Sequence, residues 1–557
     1  MGRLWGCRLV LFFLFALMSV SGQTVSVLYN FGSQPVDPFQ PFYAGVIAQG
    51  RDGNLYSGAN GGSIGAGDLF KISPAGTLTT LYSFSNTGDG DSPYGGLTLG
   101  TDGNFYGTSY SGGFGDPPFG TVLKMTSGGS FNVLYTFTDG ADGALPISPP
   151  IEGRDGNFYG TTCNVCNGPI ASGYGTIYKI TSSGTFSILY TCDGTHCDGM
   201  NDPLVLGTDG NFYGTSTYGG RSGDGNIFKI TPAGELTVLH NFDNTHGELP
   251  IGGLVLGKEG NFYGTALDGG AFGNGVVFRI TPAGKFTVLH DMNGTTDGGA
   301  PYAGLVLATD GNLYGANANL GASSNGCPNG CGTLFKVTPS GAFSVLYNFD
   351  LTTGEFPYSS LVQHTNGLIY GMTQTGGTGD VGLCSTGNCG VFYSLNIGAA
   401  PFAKLVNAAA KVGGTVEILG QGFKGTTEVT FGGTSASYKI ISDTFLTATV
   451  PAGATTAPVQ VATPSGILTS NSNFQVLPHL TSFTPPSGPV GTVVTITGIS
   501  LTQTTKVTFA GVAATTFTVD SDTQVTATVP TGAKTGKIRV TTPGGVAVST
   551  TNFTVTP

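Results

Sequence analysis

The feature that most narrows the fold of this chain is a five-residue signature returning roughly every fifty residues, a period that belongs to propellers and repeat arrays. It reads Asp52-Gly53-Asn54-Leu55-Tyr56, then Asp102 to Tyr106, Asp155 to Tyr159, Asp209 to Tyr213, Glu259 to Tyr263, Asp310 to Tyr314 and, in altered form, Thr365 to Tyr370. Successive tyrosines lie 50, 53, 54, 50, 51 and 56 residues apart. Each period holds four short apolar segments separated by turn residues; in the fifth they are 253–256, 261–265, 276–280 and 286–289. We label them strands a to d. Asp-Gly or Glu-Gly closes a to b and Pro-Ala-Gly closes c to d, both tight-hairpin chemistry. Four-stranded units of this kind are propeller blades.

The chain ends of the array support a closed ring. Strand d reads Leu-Tyr-x-Phe or a near relative, as in Leu81-Tyr82-Ser83-Phe84. One such segment, Leu28-Tyr29-Asn30-Phe31, stands before the first strand a, while the seventh repeat stops after its strand c at 391–395. The N-terminal strand is therefore expected to complete blade seven and remove the free sheet edges of an open array. Composition agrees: 94 of 557 residues are glycine and only 10% are charged, against about 7% and about 25% in ordinary domains. Coiled coils, helical bundles and charge-rich disorder are excluded.

After Gly398 the composition shifts to Thr, Val and Ala, and two segments align with each other. Gly413-Gly414-Thr415-Val416-Glu417-Ile418 parallels 490–496, and Val429-Thr430-Phe431-Gly432-Gly433 parallels 507–511. Asn473-Phe474 parallels Asn552-Phe553. The expected fold is all-β: a seven-bladed β-propeller over 23–397, closed by its N-terminal strand, then two immunoglobulin-like β-sandwiches over 398–477 and 478–557. Residues 1–22 form a secretory signal peptide, with Arg3 and Arg8 before the apolar run Leu9 to Val20 and small residues up to Gly22. No other apolar stretch is long enough to span a membrane, so a secreted or cell-surface protein without a transmembrane segment is expected.

Two resemblances follow. Gly264-Thr265, Gly269-Gly270 and Gly275-Val276-Val277-Phe278, followed by Phe286-Thr287-Val288-Leu289, resemble the bacterial GloVer tandem-repeat family of choice-of-anchor extracellular proteins. That likeness implies a surface-attached or extracellular protein and brings no catalytic residues. Pro486-Ser487-Gly488-Pro489-Val490-Gly491-Thr492 resembles the IPT/TIG immunoglobulin-like domains, which implies a spacer or docking role for the tail.

Charge is unevenly placed. Without residues 1–22 the chain keeps 19 basic and 32 acidic side chains, a net charge of −13. Nucleic acid, whose phosphates need Lys and Arg, is a poor partner. The long b–c and d–a loops share the upper face of the ring and carry 17 acids, among them Asp89, Asp142, Asp198, Asp268 and Asp297, against the single base Arg221. Such a face repels anions and attracts cations. Calcium is a candidate there, and plain turn chemistry with solvated acids is the alternative. At the lower end, Asp52, Asp102, Asp155, Asp209, Glu259 and Asp310 recur with Lys71, Lys124, Lys179, Lys229, Arg279 and Lys336 on strand c; blade seven has Thr365 and Ser394 instead. This covariation within the chain predicts six structural salt bridges, each worth up to about 3–5 kcal/mol if buried.

Eight cysteines remain after position 22, as local pairs Cys163/Cys166, Cys192/Cys197, Cys327/Cys331 and Cys384/Cys389, all in or beside upper-face loops. An even count in an exported chain reads as disulfides. Cross-pairing in blade three, or a zinc site of Cys163, Cys166, Cys192 and Cys197, stays open. Tyr43, Tyr94, Tyr302 and Tyr358 recur where strand a begins, in blades adjacent around a closed ring. They predict an aromatic arc at the channel mouth, suited to a neutral sugar if not simply packed between blades. The Gly61 to Gly65 match to a nucleophile motif lies in a loop, not at a strand-turn-helix. The leading functional expectation is a non-enzymatic binding or adhesion scaffold holding a neutral saccharide, a surface polymer or another surface protein. An extracellular glycan hydrolase or lyase using upper-face carboxylates, and a structural envelope or matrix protein, are the alternatives.

Overall fold

A computed structural model describes residues 23–557 apart from 35–36, 42–44, 63–64, 86–87, 114–118, 164–172, 325, 380–383 and 385–387. The signal-peptide segment 1–22, Tyr43 and Cys166 lie outside the described residues. The described chain is all-β, and among those residues no helix is long and apolar enough to cross a membrane. Seven sheets follow the a-b-c-d plan in antiparallel order. In the fifth, Leu254–Leu256, Phe262–Ala266, Val276–Ile280 and Phe286–Asp291 pair in sequence. Gly260 and Gly284 supply the left-handed residues of its two tight turns, with φ of 84° and 87°. The expected seam forms as well: Thr24–Asn30 pairs antiparallel with Val391–Asn396 and completes the sheet of the last repeat.

Each sheet is covered on both faces by its neighbours, which explains why strand c is buried throughout except for its Lys or Arg. Apolar clusters join each sheet to the next, and one containing Leu55, Phe70, Val362, Tyr370 and Phe392 joins the first repeat to the last. Two aromatic ladders reinforce the seams. The signature tyrosine stacks on the strand-b phenylalanine of the following sheet: Tyr56 on Phe105 at 4.0 Å, Tyr106 on Phe158 at 3.7 Å, Tyr213 on Phe262 at 4.0 Å. The strand-d aromatic stacks on the next strand d: Tyr82 on Phe131 at 3.9 Å, His240 on Phe286 and His290 on Phe343 at 3.8 Å. Such pairs contribute about 0.5–1.5 kcal/mol each beyond area burial. His240 and His290 thus replace strand-d tyrosines as packing groups.

The d–a connections share a device that composition does not reveal. A non-glycine residue before proline takes a left-handed conformation: Ser92, Leu145, Leu249, Ala300 and Phe356 have φ between 53° and 57°. Residues before proline ordinarily prefer extended backbone, and each such residue costs on the order of 1–3 kcal/mol. Its neighbours compensate. Leu249 donates its N–H to the Asp224 carbonyl of the preceding blade and accepts from the Leu267 N–H of its own, both at 3.0 Å. The same clamp holds Ser92 between Ala66 and Tyr110, and Ala300 between Asn274 and Ala318. The chain then folds over the proline, so that the N–H two residues on returns to the same carbonyl, as Tyr302 does to Ala300 at 2.9 Å.

The C-terminal part forms two sandwiches, each a four-stranded sheet packed on a five-stranded one. Val416, Ile418, Phe431, Leu446 and Phe474 centre the first core, and Val494, Ile496, Phe509, Val540 and Phe553 the second. The first sandwich docks on the lower face of the repeats. Arg51 pairs with Glu417 at 2.5 Å and lies over the Phe445 ring at 4.7 Å, while Arg154 donates to Gln475. A cavity of about 870 Å³ remains at this junction, lined by Leu206, Leu256, Leu307, Glu152, Lys258 and Asn407 among others.

Candidate functional site

The recurring turn is structural, and it works differently from the sequence expectation. In each of the first six copies the acid accepts the hydroxyl of its own buried tyrosine: Tyr56 to Asp52 at 2.8 Å, Tyr106 to Asp102 at 2.8 Å, Tyr159 to Asp155 at 2.8 Å, Tyr213 to Asp209 at 2.9 Å, Tyr314 to Asp310 at 2.7 Å, and Tyr263 to Glu259. The asparagine two residues on, where present, donates its side-chain amide to the same acid. Lysine is an addition. Lys124 and Lys179 reach Asp102 and Asp155 at 2.8 Å, and Lys71 stands 3.9 Å from Asp52. Among the described residues no ion pair joins Lys229 to Asp209, Arg279 to Glu259 or Lys336 to Asp310. The three pairs that form are a quarter to two-fifths exposed, so each contributes about 0–1 kcal/mol rather than a buried pair's share. The last repeat needs a second correction. The acid's place is taken by Asn366, not Thr365, and Asn366 donates to the Tyr370 hydroxyl at 2.8 Å. Thr365 instead contacts Gln49 and the docked sandwich through Gly420 and Gln421.

Many upper-face acids are also spoken for. Asp37, Asp89, Asp142 and Asp297 accept from the strand-d residues Tyr29, Tyr82, Tyr135 and His290 at 2.6 to 3.0 Å, and each also takes a backbone N–H of its own loop. Asp193 and Asp243 hold His196 and His246, the two loop histidines, at 2.6 and 2.9 Å. Asp350 caps Thr352 and Thr353. These are the turn-forming roles that Asp favours. Cys192–Cys197, Cys327–Cys331 and Cys384–Cys389 are disulfides, and Cys163 is disulfide-bonded. The Cys192–Cys197 bond removes two of the four thiolates that a zinc site in blade three would need. Short loops of this kind gain roughly 2 kcal/mol each on a chain-entropy account.

A second group of aromatic and acidic residues gathers at the start of the innermost strands. Tyr302 and Tyr358, from adjacent blades, meet edge to face at 4.7 Å and are half-buried; Phe356 lies parallel to Tyr358 at 5.7 Å. Tyr94 meets Tyr110 at 5.3 Å. Tyr43 is outside the described residues. Carboxylates border the Tyr302 side. Glu248 and Asp268 exchange backbone hydrogen bonds at 2.8 and 3.1 Å, linking a d–a loop to a b–c loop. Asp198 pairs with Tyr218 in the same way. Burial, then the charges of Asp268 and of the Tyr218 phenolate, push the Tyr302 phenol up. Burial raises Asp268, burial aided by Asp224 and Asp268 raises Glu248, and burial pushes Asp198 up to about 6. Tyr110 and Tyr218, just beyond strand b, are not singled out by their spacing; loop contacts bring Tyr110 to Tyr94 and Tyr218 within electrostatic reach of Tyr302.

The fold defines a class: an all-β protein of propeller-type repeats followed by immunoglobulin-like domains. The sequence profile of the Gloeobacter/Verrucomicrobia repeat matches residues 13–205 and 199–428, and that of the IPT/TIG domain matches 405–476 and 478–556. The chain belongs to the Gloeobacter/Verrucomicrobia repeat family and carries two IPT/TIG domains. No curated protein matches it significantly. Among solved structures it is similar to a fungal alcohol oxidase of the AA5 family in complex with copper, at 12% identity over 81% of this chain and 99% of that one, TM-score 0.43. A gluconolactonase from Xanthomonas campestris aligns at 10% identity over 68% of this chain and 90% of that one, TM-score 0.35. A surface glycan-binding protein from Prevotella bryantii aligns at 21% over 26% and 38%, TM-score 0.21. Likenesses this distant transfer no ligand or activity.

Proposed function

We propose that the upper mouth binds a neutral saccharide or saccharide polymer, and that the chain is an exported or surface-held binding scaffold whose tail domains position the repeats. The observation that carries this reading is the Tyr302–Tyr358 pair beside Glu248 and Asp268. Half-exposed rings offer apolar faces to the C–H side of a sugar, and carboxylates accept its hydroxyls in charge-assisted bonds. The acidic face disfavours anionic polymers. An exported location rests on the pattern of residues 1–22. The upward shifts of Asp198, Glu248 and Asp268 favour one alternative, a glycan-cleaving enzyme, because a general acid needs a carboxyl raised above its ordinary range.

The test is retention of residues 23–557 on a panel of immobilised neutral polysaccharides, with newly formed reducing ends measured in parallel. Retention lost in Tyr302→Ala/Tyr358→Ala, with no new ends, supports the binding reading. New ends abolished by Asp268→Asn or Glu248→Gln establish the enzyme instead. No retention and no cleavage leave the structural-scaffold role.

A further inference from the structure

In three blades the first residue of strand c performs one task. Thr176 donates its hydroxyl to the Asp142 carbonyl at 2.9 Å, Thr333 to the Asp297 carbonyl at 2.7 Å, and Asn226 its amide to the His196 carbonyl at 3.0 Å. Each accepting carbonyl lies three residues before the left-handed residue of its d–a loop, Leu145, Ala300 or Gly199. In the first blade the left-handed residue is Gln40, with φ of 50°, so Asp37 stands at the acceptor position. The donor's position is held by Asp68, which pairs in register with Ala59 and Ser83.

An ionised carboxylate has no proton to donate. Asp68 is fully buried, and among the described residues neither of its carboxylate oxygens has a hydrogen-bond partner. The space above it is closed by Gly62, where a Cβ would fall 2.2 Å from Oδ1. Asp37 is buried as well, and the hydrogen bonds it receives from Tyr29 and Gln34 both fall on Oδ2. Burial, with the Asp37 charge adding to it, raises Asp68 to about 6; Ser83 pulls the other way without making a hydrogen bond of normal geometry. Among the described residues neither acid has a basic partner. Two buried carboxylates, one without a hydrogen-bond partner among the described residues and close enough to feel the charge of the other, call for a positive charge between them.

We propose that Asp68 and Asp37 hold one hard divalent cation in the first blade, calcium by its ligand chemistry, with the Asp37 carbonyl as a further ligand. Calcium accepts several oxygens in irregular geometry, whereas magnesium demands a near-ideal octahedron. The site is independent of any saccharide.

The test uses the chain from residue 23 onward, stripped with chelator, in the wild type, Asp68→Thr and Asp37→Asn. Thr is the residue of three sibling blades, Thr121, Thr176 and Thr333, so Asp68→Thr restores the sibling donor and is expected to fold. Calcium should raise the wild-type melting temperature, and terbium should give luminescence sensitised by Tyr29, displaced by calcium. Asp68→Thr should bind one equivalent fewer and melt at the same temperature with calcium or chelator; Asp37→Asn should weaken binding. A wild type indifferent to calcium and terbium would overturn the proposal. If its melting temperature then rises as pH falls through 6, Asp68 is a neutral acid giving its own proton to the loop. Calcium stabilisation retained in full by Asp68→Thr would overturn it too, placing the ion elsewhere on the acidic face.

Discussion

Two tyrosine-to-phenylalanine substitutions in neighbouring sheets should change stability in opposite directions. Tyr106 donates to the Asp102 carboxylate at 2.8 Å, and a hydrogen bond to a charged group contributes about 1.5–3 kcal/mol. Asp102 keeps Lys124 at 2.8 Å, the Asn104 amide at 2.8 Å and the Asn104 N–H at 3.0 Å, so it is not orphaned. The loss in Tyr106→Phe therefore falls at the lower end, about 1.5 kcal/mol. Tyr178 is the reverse case. Its hydroxyl is buried against Gly160 without a partner, and an unsatisfied buried hydroxyl costs about 1–3 kcal/mol. Phenylalanine already occupies the matching place at Phe70, Phe228, Phe278 and Phe335. Tyr178→Phe should thus stabilise by about 1 kcal/mol after a small packing loss. Urea titration followed by near-UV circular dichroism measures both. Equal destabilisation by the two substitutions would refute the hydrogen-bond account of the repeat and leave ring packing as its whole content.

Two further predictions concern charge. Burial works against the ionised forms of Asp102 and Asp155, but hydrogen bonds from Lys, Asn and Tyr outweigh it and hold both near 2 against 3.8. A depressed carboxyl stabilises the fold above 3.8 and loses that contribution as pH falls toward 2; with these side chains 35% and 40% exposed, each is worth about 0–1 kcal/mol. Asp155→Asn should flatten the fall of the urea midpoint between pH 4 and 2 by that amount. At the docked sandwich, Arg51→Met leaves the part-buried Glu417 without its partner and should cost about 1–3 kcal/mol. Arg51→Met/Glu417→Leu should recover most of it, read as the midpoint of the calorimetric transition that includes the first sandwich.

The sequence makes the repeats legible because glycine turns and alternating apolar residues are local signals, and the seam because Leu28 to Phe31 copies strand d. The joint variation of acid and lysine points to an ion pair, yet tyrosine satisfies the acid in all six acidic copies. Spacing alone misplaced the last copy by one residue; the register of Val362–Gln363 against Ile369–Tyr370 fixes Asn366. The left-handed residues before proline were invisible, because local preference points the other way and only the clamp between blades repays them. Nothing in the spacing of the sequence marks Asp68. Its oddity emerges only when its carboxylate is set against the hydroxyls and amide of the sibling positions.

The most direct measurement is a crystal structure of residues 23–557 with an oligosaccharide from a retained polymer. The account predicts a sugar ring against Tyr302 and Tyr358, with hydroxyls on Glu248 or Asp268. A sugar lodged instead in the 870 Å³ cavity between the repeats and the first sandwich, leaving the mouth bare, would contradict it.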